Sequence, residues 1–164
     1  MRSLIILLGA VSLSACADAG SQPLPPSRAS AHEGAEHAEE ELAPYMASLQ
    51  RYAEKLYLAG SNESWELAHF YEHEIEEVAG ELAEGGFAED GHDVSALVGQ
   101  MLLPAVERVG AATDARSPEA FDGAYRALIA ACNACHDATE HGFIRLRVPD
   151  ANAYPSQDFG PRDR

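Results

Sequence analysis

The chain has 164 residues, 46% of them hydrophobic, with 11 Lys+Arg against 27 Asp+Glu and a formal net charge of −16. That length suits one domain plus some unstructured polypeptide. So acidic a surface repels nucleic acid and anionic lipid headgroups and attracts cations or a basic partner, which removes nucleic-acid binding from the function classes.

The N-terminus reads MRSLIILLGAVSLSAC. Arg2 precedes an apolar run from Leu4 to Leu13, too short to span a bilayer as a mature helix, so residues 1–15 have the pattern of a secretory signal peptide. Leu13, Ser14 and Ala15 lead directly into Cys16, which resembles the lipobox of bacterial lipoproteins. The resemblance implies that Cys16 is lipidated after cleavage and that the protein faces the periplasm from the cell envelope, inner or outer membrane unresolved. The plain alternative is an ordinary signal with Cys16 present by chance. Loss of Arg2 with the signal takes the charge to about −17.

Residues 16–42 carry prolines, small residues and acid runs without apolar periodicity, the composition of a disordered, flexible acidic linker. His32 and His37 stand among its glutamates, where a solvated linker is the simpler reading and a weak metal tract the other. Four helical segments are then predicted over residues 43–141. The first opens with Pro44 in its first turn, carries Met46, Leu49, Ala53 and Leu56 on one stripe, and stops at Gly60. The second runs from Ser61–Asn62 to Gly85–Gly86 with Ala68, Tyr71, Ile75, Val78 and Leu82 inward and its glutamates, Glu72 included, outward. The third is capped by Asp93 and continues to about Ala112 on Val94, Leu97, Val98, Met101, Ala105 and Val109, with a kink expected at Pro104. The fourth starts at Ser117–Pro118 and carries Phe121, Tyr125, Leu128, Cys132, Cys135 and Thr139 on its core side. Residues 142–164 read as an irregular tail. Short loops between four helices predict an all-α, antiparallel up-down-up-down four-helix bundle, preceded by the tether.

The fourth segment ends in CNACH: Cys132, Cys135 and His136. An exported dithiol forms a disulfide unless a strand–helix setting makes it catalytic, and no strand alternates with these helices. A zinc site needs two further ligands, and His141 is the one nearby candidate. The spacing suits a haem anchor instead: two thiols reach two vinyl groups of one porphyrin edge, and the next residue brings an imidazole under the iron. One covalently attached haem c at one end of the bundle is therefore the expected cofactor.

A four-helix bundle with CxxCH near the end of its last helix resembles the cytochrome c′ family, including its methionine-ligated relatives, over about residues 43–141. The resemblance implies thioether bonds from Cys132 and Cys135 and proximal ligation of the iron by His136. Two features depart from it: DATEH follows the motif where a basic residue is common, and the tail is extended. Arg145 or Arg147 is the expected replacement beside the propionates.

Heights along the bundle suggest the sixth ligand. His136 lies roughly 6 Å from the end of its helix and Met46 near the same end of the first, whereas His69 lies some 20 Å away and Met101 about 10 Å. Met46 is thus the candidate iron ligand, His92 a distant second, and core packing over a five-coordinate iron the plain role for Met46. Glu66-x-x-His69 is half of a di-iron pattern whose second half is missing. Tyr45 and Tyr52 are placed in or over the crevice, and Trp65 at the far end.

Electron transfer by a His136/Met46-ligated haem, docking a redox partner with a basic face, is the expected function. Binding or sensing of NO or CO at a five-coordinate haem is the alternative, and organising a larger membrane complex is a third. No poised nucleophile and base stand near the motif, so no enzyme activity is expected. The patterning leaves room for a homodimer.

Overall fold

The computed structural model describes residues 28–161, with side chains from residue 42 onward. The signal sequence and Cys16 lie outside the described residues. The fold is mostly helical: α1 (Arg28–Ser61), α2 (Trp65–Glu84), α3 (Val94–Leu97), α4 (Leu103–Asp114) and α5 (Pro118–Ala138), with a small ladder of β1 (Ala88–Glu89) and β2 (His92–Asp93). A π-helical turn, Val98–Leu102, joins α3 to α4, so that stretch is continuously helical. Within the described residues no helix is long and apolar enough to cross a membrane.

Several boundaries come from local chemistry. Asp93 caps α3 by accepting a hydrogen bond from the Ala96 amide at 2.9 Å, and Ser117 caps α5 through the Ala120 amide at 3.4 Å with Pro118 in the first turn. The α1–α2 turn bends through Glu63, whose φ of 58° lies in the left-handed region. The start of α1 differs from expectation. The helix begins at Arg28 rather than Pro44, so Pro44 is internal and part of the stretch expected as linker is helical. Alanine and glutamate there favour a helix without any apolar stripe, and periodicity is blind to that preference. His32 and His37 fall on this stretch, outside the described side chains.

Where a kink is expected at Pro104, the structure has a π turn immediately before the proline. Proline cannot donate to the carbonyl four residues back and its ring crowds that carbonyl. Widening the preceding turn relieves the conflict, and the Leu103 amide indeed bonds the Val98 carbonyl five residues back. The extra residue rotates the helix beyond it, and Leu102 is buried where Met101 was expected. In α2, Ala79 is buried in place of the expected Val78. Glu72 is also buried, its carboxylate against Gly110 of α4 and 3.4 Å from His69. Burial first, then the neighbouring Glu76, pushes the Glu72 carboxyl above its usual range.

The core forms where α1 packs on α2 and α5, and α4 packs on α2 and α5. Leu56, Ile75, Leu82, Val98, Val109, Phe121, Tyr125 and Leu128 are its large fully buried side chains. The Tyr125 hydroxyl donates to the Ala53 carbonyl at 2.9 Å, fastening α5 to α1. Trp65 meets Phe121 edge-on at 6.0 Å.

Gly60 of α1 makes room for the Phe121 ring of α5, since a Cβ there would fall within that ring. Alanine would gain helix propensity of roughly 1 kcal/mol over glycine. Overpacking against a buried aromatic ring costs more, so Gly60→Ala should destabilise the fold by about 2 kcal/mol net. Urea unfolding monitored by circular dichroism measures this, and a stabilised variant would show that the Phe121 ring yields freely.

Candidate functional site

Helix α5 presents Cys132 and Cys135 one turn apart and places His136 in its last turn. The helix then closes. Glu140 adopts a φ of 63° and the His141 amide returns to the His136 carbonyl at 2.7 Å, a Schellman closure built on a residue other than glycine. The Thr139 hydroxyl donates to the carbonyls of Cys135 and His136 at 3.1 and 3.3 Å, adding to the backbone amides of Thr139 and His141 that these carbonyls already accept. The reversal lays residues 142–146 back along the helix.

This segment completes a cavity of about 580 Å³. Its walls come from α1 (Leu42 to Ala53, including Met46), the α3–π segment (Val94, Val98, Leu102), α5 (Leu128, Cys132, Cys135, His136) and the returning chain (Phe143, Ile144, Leu146). The lining is predominantly apolar, and the volume falls within the roughly 300–1,000 Å³ of small-molecule and cofactor sites. Met46, Cys132, Cys135 and His136 thus share one cavity. His92 does not line it; it stands on β2 opposite Glu89, although Glu89 itself reaches the wall.

The hydrogen bonding of His136 is specific. Its Nδ1 lies 3.0 Å from the Ile144 carbonyl oxygen. A carbonyl only accepts, so Nδ1 carries the proton, and in the neutral ring the Nε2 lone pair is left for a ligand. His141 also lines the cavity, with its own Nδ1 2.7 Å from the Thr139 carbonyl.

The thiols are poor nucleophiles. Burial first, with the adjacent Cys135 adding to it, pushes the Cys132 thiol up to about 11, and burial raises Cys135 as well. Both stand at the C-terminal end of a helix, whose dipole disfavours a thiolate. A disulfide-exchange cysteine requires the opposite shift. Among the described residues, no group of three or more His, Cys, Asp or Glu side chains is arranged to hold a metal ion by itself.

Other expected residues sit elsewhere. Tyr45 packs edge-on against Phe87 at 5.4 Å, and Tyr52 stacks with Tyr71 at 6.2 Å, so neither lines the cavity. His69 pairs with Glu72 and, at 3.9 Å, with Asp114 of α4. Arg145 forms a two-pronged pair with Asp137 at 2.9 and 3.1 Å, and Arg147 lies 3.7 Å from Asp150. Sequence reasoning missed the contribution of Phe143, Ile144 and Leu146, because no periodicity marks an irregular segment. The one available signal was an apolar group, FIRLRV, directly after a helix stop.

No family model, no curated protein and no solved structure matches this chain.

Proposed function

We propose that this chain is a monohaem c-type cytochrome that carries single electrons, anchored through lipid on Cys16 and facing the periplasm. Its helices are read as an antiparallel up-down-up-down bundle of the cytochrome c′ kind, with the haem at the end where α5 closes. The observation that carries the reading is the meeting of Met46, Cys132, Cys135 and His136 on the wall of one apolar cavity.

The residues fit a haem c. Two un-ionised thiols at the motif spacing would hold it through thioether bonds, and the His136 Nε2, freed by the Nδ1 contact to Ile144, would ligate the iron. The Met46 thioether, from α1, is the candidate for the other axial position. A haem held so supplies a one-electron couple whose potential is raised by methionine ligation. Leu42, Leu49, Val94, Val98, Leu102 and Leu128 keep water from the site, which favours electron movement without exchange of a ligand. The acidic surface suits transient docking of a basic redox partner.

One fractionation experiment tests both the cofactor and the anchor. Membranes from cells expressing the full chain should carry a c-type absorption spectrum that survives acid–acetone extraction, and Cys16→Ser should move that spectrum to the soluble fraction. Haem that extracts into acid acetone would overturn the cofactor reading. Retention of the Cys16→Ser protein in membranes would assign the anchoring to a partner protein.

A further inference from the structure

We infer that Asn133, the first residue between the two motif cysteines, is a positioning residue that sets the hydrogen bond and orientation of His136 by clamping the returning C-terminal segment. The inference deepens the haem reading, and one of its two measurements is independent of that reading.

The side-chain amide of Asn133 uses both of its ends on a single residue. Nδ2 donates to the Leu146 carbonyl at 3.0 Å, and Oδ1 accepts from the Leu146 amide at 2.8 Å. Two residues earlier, the Ile144 carbonyl accepts from His136 Nδ1. Residues 133 and 136 are neighbours three apart on one helix face, and residues 144 and 146 alternate along an extended chain. The two contacts are therefore adjacent rungs between α5 and the segment that lies along it. With the Asn133 bonds removed, the returning segment keeps the packing of Leu146 and Val148 against the core and the exposed Arg145–Asp137 pair, neither of which fixes the direction of the Ile144 carbonyl as a hydrogen-bonded rung does.

The remainder of the tail is fastened far from the motif. Tyr154 donates to Glu54 of α1 at 2.7 Å, Gln157 donates to the Tyr71 hydroxyl of α2 at 2.6 Å, and Phe159 is buried. Those anchors keep the tail on the molecule when Asn133 is altered, so the local rung can be removed without losing the strap. A donor bond from an axial histidine to a carbonyl fixes the tautomer and raises the basicity of the ligating nitrogen. A more basic imidazole favours the oxidised iron. Loss of the bond should then move the midpoint potential to more positive values.

Two measurements on the full chain test this. In protein produced without haem attachment, nitrogen-15 NMR reads the tautomer of neutral His136. The wild type should hold the Nδ1–H form, and Asn133→Ala should shift the population toward the Nε2–H form that predominates in water. In haem-loaded protein, Asn133→Ala should raise the potential while haem remains bound. If Asn133→Ala does not accumulate, Asn133→Ser, neutral and too short to engage both backbone groups of Leu146, should give shifts in the same directions. Unchanged tautomer and unchanged potential in the variant that folds would overturn the inference. If the wild type gains no haem in cells competent to attach it, while Asn133→Ala still shifts the His136 tautomer in the haem-free protein, the clamp stands and the haem reading is overturned instead.

Discussion

Replacing both Cys132 and Cys135 by alanine should reduce covalently held haem from one per chain to none, as read by mass spectrometry of the denatured protein. The two thiols lie one turn apart on α5, both partly buried on the cavity wall, and they are free. Either single variant should retain one thioether bond and a weakened yield, because one anchoring point remains. The double variant should keep its helical circular dichroism. A thiol-to-methyl change at a partly buried site removes little packing, on the order of 1 kcal/mol. The core residues Leu56, Phe121 and Tyr125 remain untouched. A wild-type mass equal to the bare polypeptide, with both thiols open to alkylation, would remove the haem proposal altogether.

Met46→Ala should convert a low-spin haem into a high-spin one that binds CO readily. Met46 stands on α1 and shares the cavity with His136, partly buried beside Leu42, Leu49 and Ala53. In the wild type the thioether bond should also give a weak sulfur-to-iron charge-transfer band in the near infrared, lost on substitution. The fold should survive, since truncating a half-buried methionine costs about 2 kcal/mol, the low end for core truncations. A wild type that is already high-spin and takes up NO or CO would assign Met46 to packing and favour gas binding over electron transfer. A low-spin wild type unchanged by the substitution would take the sixth position away from Met46.

The N-terminal starts of α3 and α5 were legible because caps are local. Asp93 acts on an amide three residues away and Ser117 does the same. The interior of the third helical stretch was less so. Pro104 announced a disturbance, but whether it resolves as a kink or a π turn depends on the surroundings of the freed carbonyl, and the choice moved Leu102 inward in place of Met101. Glu72 shows a similar limit. Its place beside the α2 stripe looked solvated, yet Gly110 on α4 leaves room for the carboxylate there. Hydropathy along one helix carries no information about a small residue on its neighbour.

By itself the sequence determined the helical character, the caps and the placing of Cys132, Cys135 and His136 within five residues of one helix. These depend on dihedral preference and on separations of a turn or less, which a chain settles locally. Only the tertiary structure decided that Met46 of α1 shares a cavity with that motif. It also decided that Asn133 grips Leu146 thirteen residues on, and that Tyr154 reaches Glu54 a hundred residues back. The physical reason is that an irregular segment has no period of its own. Its polar backbone groups must find partners on whatever surface lies beside them, and the packing of the helices defines that surface.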